Sequence, residues 1–349
     1  MADNHLEISR KLVDLQRLVV PEISALIELR YDILSTIKSE GPVGRRNLAY
    51  TLDMSERQIR NEIEFLQEQK LIDVERQGVI LTELGDSIIE DMKSMLYTYN
   101  GIEQLESTLC KLLNLNKAIV CPGNIDKNYQ VINFMGKSAA DYLMTVLKYQ
   151  DVLALTGGVS TAAVADQMKD ALYPDLYIIP ARGGIGKSHA TQANNVVAEM
   201  ALKLHAKYEL LHLPDNIDIH LLDALKDYPE IKRVFDKMEH IDVFIFGVGR
   251  ADVLSEWRNV SLEERQALIE AGAVGEAFGY YFDYNGHIVK PSSTIGVDID
   301  DYKNIPEKIA IAGGEGKVDA IIGVCRLQSG VTLITDESAA KKIVRELNK

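Results

Sequence analysis

The 349-residue sequence has little cysteine, no long apolar run and a shortage of basic residues. Its three cysteines are widely spaced without a CxxC pair, which argues against a disulfide framework or a zinc site and favours the cytosol. The seven histidines form no metal-ligand motif, so we expect no metal or other cofactor. No run reaches the roughly 18 to 20 apolar residues that span a bilayer. No signal-peptide core follows the polar residues 1–5. We therefore expect a cytoplasmic protein with no membrane partner.

The net charge of −14 excludes non-specific polyanion binding by the whole surface, although a DNA-binding protein needs only a local basic patch. At roughly 150 residues per domain, the length indicates about two domains. The composition changes near residue 115, from helical spacing with sparse Gly and Pro to short Val/Ile/Leu runs between Gly-rich turns. We predict a winged helix-turn-helix DNA-binding domain at 1–82, a helical linker at 83–115, and an effector domain at 116–349.

The coarse element pattern predicts the fold class. Helices are expected at 26–39, 44–52 and 55–69, a hairpin at 71–82, and a long helical stretch at 83–114. Helical patterns separate most of the later strands, which is typical of βαβ units and a doubly wound, largely parallel α/β sheet. These predicted strands are 117–120, 151–155, 176–180, 208–213, 242–247, 308–312 and 331–335, and a further helix is expected at 162–172.

The stretch 55–69 has the features of a recognition helix. Ser55 and Gln58 have the spacing of a capping box, and one face is apolar while the opposite face is polar. Arginine and asparagine on that polar face are the side chains that contact guanine and adenine edges in the major groove. The alternative is a solvated helix face, because acidic residues slightly outnumber basic ones over 41–80. The residues predicted to contact operator DNA are Arg45, Arg46, Arg57, Arg60 and Asn61.

Gly-rich turns follow three of the predicted strands, near 157–160, 181–184 and 312–317. Backbone N–H groups at a helix start, freed of side-chain bulk, bind anions. Two of the turns also carry a cation, Arg182 or Lys317. This pattern predicts a pocket for a ligand with more than one phosphate at the carboxyl ends of the strands.

Two further patterns leave alternatives open. Residues 181–188 match a relaxed Walker A motif, with 333–337 as a possible Walker B, but the first glycine is replaced by alanine and a proline precedes the loop. The apolar residues of the linker, spaced three and four apart, fit either packing onto the chain's own body or an oligomer seam.

Five longer runs stand out in the sequence: Gly-Arg-Arg at 44–46, Pro-Ala-Arg-Gly-Gly at 180–184, Glu-Ala-Phe-Gly-Tyr-Tyr-Phe at 276–282, Ala-Gly-Gly at 312–314 and Thr-Asp-Glu-x-Ala-Ala-Lys-Lys at 335–342. Together they resemble the SorC-type bacterial repressors, and among these the repressors that control glycolytic genes. The resemblance implies a repressor with an effector domain similar to sugar-phosphate isomerases and with fructose 1,6-bisphosphate as effector. Because helix-turn-helix proteins usually bind DNA as symmetric oligomers, we also expect a homodimer or homotetramer.

The resemblance also implies the effector-binding residues. The chain departs from the family's pattern at Val159-Ser160, where the family has two threonines, and at Trp257, where it has an arginine. The alternative function is a sugar-phosphate isomerase or deaminase with Glu276 as base. The implied effector contacts are Gly157, Gly158, Val159, Ser160, Arg182, Gln192, Arg258, Glu276 and Lys317.

Overall fold

The computed structural model describes residues 19–20, 22–184, 190–214, 221, 224–225, 227–258, 260–291 and 295–349. The chain divides into two compact units. The first holds the described residues up to Gln104 together with Pro122–Val131, and the second holds Leu105–Cys121 and Ile132–Lys349. No helix in the described ranges is long and apolar enough to cross a membrane.

The first unit has the predicted order of helix, helix-turn-helix and hairpin. The two strands of the hairpin pair antiparallel, and an isolated bridge adds Val43 beside Val79. Gly78 lies so close to Val43 that a Cβ there would be 2.8 Å from its backbone. The elements are α1 (Glu22–Glu40), α2 (Arg45–Thr51), α3 (Glu56–Glu68), β1 (Ile72–Glu75), β2 (Gly78–Leu81) and α4 (Glu83–Tyr99).

Local chemistry sets the start of α3 and the end of α4. The Ser55 hydroxyl accepts from the Gln58 backbone N–H and the Gln58 side chain accepts from the Ser55 N–H, so the predicted capping box is confirmed. The helical stretch expected over 83–114 is present as two helices. α4 ends at Tyr99, Gly101 has φ +65°, and α5 (Ile102–Leu113) follows, because a left-handed residue interrupts the helical hydrogen bonds.

The second unit contains a seven-stranded sheet in which every pairing is parallel, as predicted. The spatial order is β3-β13-β12-β7-β4-β5-β6. The strands are β3 (Lys117–Cys121), β4 (Val152–Leu155), β5 (Tyr177–Pro180), β6 (Lys207–Tyr208), β7 (Val243–Gly247), β12 (Glu307–Ile311) and β13 (Thr332–Asp336).

The predicted strand at 208–213 is wrong beyond Tyr208. The side chain of Asn194 accepts a hydrogen bond from the Leu211 N–H and donates one to the Leu211 carbonyl. The backbone groups of Leu211 are therefore satisfied by a helix side chain and not by a strand ladder, although the Glu209 N–H still donates to the Ile178 carbonyl of β5.

The sequence did not predict a second, antiparallel sheet of four strands, ordered β11-β10-β9-β8. The tight turn between β9 and β10 contains Phe278, whose ring packs on Phe244, Phe246 and Tyr302 at centroid distances of 5.5, 5.1 and 4.5 Å. This aromatic cluster fixes the turn against the parallel sheet. The strands are β8 (Gly249–Arg250), β9 (Ala273–Ala277), β10 (Tyr280–Asp283) and β11 (Ile288–Pro291).

The remaining helices follow the strands of the second unit. The helix predicted at 162–172 is α7 (Val159–Gln167), which begins earlier than predicted. It also ends earlier, because Met168 already has an extended backbone with ψ 135°. The helices are α6 (Val131–Val146), α7 (Val159–Gln167), α8 (Ala193–Leu204), α9 (Pro229–Met238), α10 (Ala251–Trp257), α11 (Leu262–Glu270), α12 (Ile299–Asn304), α13 (Val318–Leu327) and α14 (Glu337–Leu347).

Candidate functional site

A cavity of about 470 Å³ opens where β4, β5 and β7 of the parallel sheet end. Its size falls within the range of about 300 to 1,000 Å³ that is usual for small-molecule sites. Ligands in open α/β sheets bind at the carboxyl ends of the strands. Every residue that the sequence predicted to contact the effector lines this cavity, namely Gly157, Gly158, Val159, Ser160, Arg182, Gln192, Arg258, Glu276 and Lys317.

The turn after β4 requires its two glycines. A Cβ at Gly157 would lie 2.6 Å from the Thr191 carbonyl oxygen and 2.9 Å from the Ala193 nitrogen. Gly158 has φ +125°, and its N–H donates to the Thr191 carbonyl at 2.8 Å. The glycine turn is therefore seated directly against the start of α8.

Two helix N-termini consequently meet at the cavity. The N-cap residues of α7 and α8 are Gly158 and Gln192, and neither provides a side-chain cap within the described structure. The first N–H groups of a helix have no intrahelical partner, and the helix dipole adds partial positive charge there. Both helix starts can therefore donate hydrogen bonds to phosphate oxygens.

Glu276 lies at the centre of the charged part of the cavity. Its Oε1 atom accepts hydrogen bonds from Arg258 Nη2 at 2.8 Å, Arg182 Nη1 at 3.2 Å and the Gly279 N–H at 2.9 Å. The side chains of Glu276, Arg182 and Arg258 are only 3, 6 and 9% exposed. One buried carboxylate thus fixes two buried guanidinium groups, and the trio keeps one net positive charge facing the cavity.

Lys317 reaches the cavity from a 3₁₀ turn, Glu315–Lys317, that follows the third Gly-rich segment. Gly314 starts this turn, and its N–H donates to Asp336 Oδ1 at 2.8 Å. Asp336 is fully buried and its other oxygen accepts from Ser338. The residue of the possible Walker B motif therefore has a structural role, while residues 185–188 of the possible Walker A lie outside the described residues.

Sequence reasoning missed part of the cavity wall. Thr156 and Gly247 are joined by a hydrogen bond of 3.3 Å from the glycine N–H, which ties the ends of β4 and β7 together beside the cavity. Val253 and Trp257 of α10 also line it. The position of Trp257 next to Arg258 could have indicated that it lies at the cavity. Apolar side chains at helical spacing usually indicate core packing, however, so the sequence alone did not select them.

The pKa values of titrating groups near the cavity are shifted mainly by burial and by ion pairing. Burial raises the pKa of Tyr281, which pairs with Glu276 across β9 and β10, so this phenol stays neutral at physiological pH. At the start of α10, hydrogen bonding to Arg250 lowers the pKa of Asp252. No cluster of His, Cys, Asp and Glu able to hold a metal ion occurs among the described residues.

In the first unit, α3 presents the predicted polar face. Arg57, Arg60 and Asn61 are exposed on the side opposite the buried apolar stripe Ile59, Ile63 and Leu66. Arg60 forms an ion pair with Glu64 at 2.9 Å one helical turn away. Arg45 and Arg46 lie exposed at the start of α2, and Arg46 is 3.5 Å from Glu56. These cations are thus accessible, although two of them are held by acidic neighbours.

The comparisons with known proteins assign one family model to each of two parts of the chain. Residues 26–96 match the family model "CggR N-terminal DNA binding domain", and residues 97–345 match "Putative sugar-binding domain". The central glycolytic genes regulator of Priestia megaterium is 36% identical over 341 residues, covering 97% of this chain and 100% of that protein. The protein of the same name from Bacillus subtilis is 34% identical, covering 96% and 99%.

Solved structures give the same fold. The "putative SorC family transcriptional regulator from Enterococcus faecalis" matches with a TM-score of 0.64 and 31% identity, covering 69% of this chain and 99% of that one. The full-length sorbitol operon regulator SorC from Klebsiella pneumoniae matches with a TM-score of 0.67 over 89% of this chain and 96% of that one. At 19% identity this second likeness shows the fold alone.

A helix-turn-helix unit together with a sugar-binding α/β unit defines a sugar-responsive transcriptional regulator, whose partners are operator DNA and a sugar effector. The chain belongs to the SorC family of such regulators and is similar over nearly its whole length to central glycolytic genes regulators. These relatives are transcriptional regulators, in agreement with the expectation of a regulator and not with the alternative of a sugar-phosphate isomerase or deaminase.

Proposed function

We propose that the chain is a repressor of glycolytic genes that binds its operator through α2 and α3 and responds to fructose 1,6-bisphosphate. The names of the relatives support the class of target gene. The observation that carries the effector is the cavity itself: two helix N-termini and the cations Arg182, Arg258 and Lys317 converge in a chain of net charge −14. A bisphosphorylated sugar offers two dianionic groups to such a site. A DNA-binding repressor of this kind works beside the chromosome, in the cytoplasm.

Calorimetry with fructose 1,6-bisphosphate, ribose 5-phosphate and ATP tests the effector. We expect fructose 1,6-bisphosphate to bind most tightly of the three. Its two phosphates can occupy both anion sites, and it has no nucleobase that the cavity would have to accommodate. Equal or tighter binding of ATP would contradict the assignment and reopen a nucleotide-binding function.

Gel shifts with and without fructose 1,6-bisphosphate test the regulatory role. Arg182→Ala should bind operator normally but lose at least tenfold in sugar affinity, since a charge-assisted contact contributes about 1.5 to 3 kcal/mol. Lys317→Ala serves as a second variant with a less buried side chain, and the exposed Arg345→Ala serves as the matched control. Variants as responsive as the wild type would place the effector elsewhere.

For DNA, we propose that Arg57, Arg60 and Asn61 contact base edges while Arg45 and Arg46 contact phosphates. Arg60→Ala should then cost about 1 to 3 kcal/mol at the operator and relax specificity at one base pair. Arg45→Ala should weaken all duplexes alike and reduce the salt dependence.

Glu64→Gln is the matched control for the recognition helix, since it removes only the negative charge that pairs with Arg60 within the helix. It should leave operator affinity unchanged or raise it. Equal operator affinity of Arg60→Ala and the wild type would reject the assignment of α3.

We further propose that 1–82 binds DNA, that 83–115 links the parts, that 116–349 senses the effector, and that the chain forms a homodimer or homotetramer. Operators of helix-turn-helix proteins usually present two half-sites to a symmetric protein. Leu84 and Met95 of α4 are 51% and 49% exposed, which suits a contribution of the linker to the interface. A monomer in light scattering at micromolar concentration, both free and on DNA, would refute this.

A further inference from the structure

One wall of the cavity is apolar and exposed. Val159 at the start of α7, and Val253 and Trp257 of α10, line the cavity and are 49, 52 and 39% exposed. Trp257 is the only tryptophan of the chain. The valine side chains cannot bind a phosphate and the faces of the indole ring are apolar, so this wall suits a part of a ligand that is not charged.

The position of this apolar wall is fixed by the packing of α10 against β8. A Cβ at Gly249 would lie only 2.3 Å from the Leu254 Cδ1 atom, so α10 rests directly on β8 at the glycine. Val253 and Trp257 are four residues apart and therefore lie on one face of α10. Arg258 follows at the helix end, where its guanidinium is fixed by Glu276. The indole and the anion-binding group are thus presented to the same cavity from consecutive positions.

We propose that Trp257 packs against the carbon skeleton of the phosphorylated sugar and sets the preference of the site for sugar phosphates over smaller anions. This inference rests on the proposed function. Helix N-termini and arginines bind any phosphate group, so they do not recognise the carbon skeleton that joins the two phosphates of the sugar. An indole covers a large apolar area and can shield the C–H groups of a sugar from water.

The expected effect is selective. Burial of one or two sugar carbons against the indole corresponds to about a 4- to 15-fold change in affinity. Trp257→Ala should therefore weaken fructose 1,6-bisphosphate about tenfold and leave inorganic phosphate unchanged. Trp257→Phe retains an aromatic face and should lose less than Trp257→Ala.

Calorimetry with these two variants, the wild type and the control Leu262→Ala, with both anions as probes, measures this selectivity. Leu262 is 77% exposed on the neighbouring α11 and is not among the cavity-lining residues described. Tryptophan emission of the wild type gives a second readout, because the single indole should respond to fructose 1,6-bisphosphate and not to inorganic phosphate. This readout remains decisive if Trp257→Ala does not fold.

The outcomes separate the two proposals. If the wild type does not bind fructose 1,6-bisphosphate, the proposed effector fails and this inference fails with it. If the wild type binds the sugar but emission is unchanged at saturation, or Trp257→Ala binds it as tightly, only the role of Trp257 is overturned. A change of oligomeric state without loss of affinity would overturn it too, assigning the indole to contact with a second copy.

Discussion

Replacing Glu276 by glutamine would test how the cavity keeps its cations in place before a ligand arrives. The carboxylate is 3% exposed and accepts from both Arg182 and Arg258. Removing one partner of a buried ion pair costs about 3 to 5 kcal/mol, because the other charge stays buried without compensation. For a domain of this size class, each kcal/mol moves the unfolding midpoint by about 2 to 4 °C. Glu276→Gln should therefore lower the midpoint of the ligand-free protein by roughly 6 to 20 °C.

The ligand response of the same variant gives the second part of the prediction. A bound phosphate supplies the negative charge that the two arginines have lost, so fructose 1,6-bisphosphate should raise the midpoint of Glu276→Gln more than that of the wild type. Thermal unfolding followed by circular dichroism, with and without the sugar, measures both quantities. The exposed Glu270→Gln, whose amide oxygen can still accept from Gln266, is the matched control. A ligand-free midpoint equal to that of the wild type would refute the role of Glu276 as counter-ion.

Three further predictions concern the rest of the chain. Ser55→Ala removes the capping box of α3 and should cost about 1 kcal/mol in urea denaturation, with an unchanged transition counting against the cap as a stabilising element. Gly157→Ala would place a Cβ 2.6 Å from the Thr191 carbonyl oxygen, so sugar-dependent thermal stabilisation should disappear while operator binding in gel shifts persists. Asp32 in α1 has its pKa raised from 3.8 to about 6 by burial, partly offset by the hydrogen bond from Asn128. Because the folded state holds this proton more tightly, stability should fall by up to about 3 kcal/mol as pH rises from 4 to 7, a loss absent from Asp32→Asn in denaturation at both pH values.

Elements specified by neighbouring residues could be predicted from the sequence. The capping box at Ser55 and the buried runs of the parallel sheet each depend on spacing within a few residues, and all are found. The segment after Tyr208 has an equally apolar pattern but does not continue as a strand, because the Asn194 side chain forms both backbone hydrogen bonds of Leu211. The end of this strand is therefore set by a residue from another part of the chain, and no pattern within the segment itself predicts that contact.

The same distinction divides the candidate site. The glycine turn at Gly157 and the cations Arg182 and Lys317 stand beside Gly-rich turns after strands, so local pattern was enough to select them. Glu276 meets Arg182 across 94 residues of sequence and Arg258 across 18, and only the family resemblance pointed to it. What brings Glu276 to the cavity is strand β9 of the antiparallel sheet, whose short strands the sequence did not reveal. The antiparallel sheet and the ion pairs of the site were therefore missed for one reason. Because the sequence does not reveal β9, it does not show that Glu276 is the buried counter-ion of Arg182 and Arg258.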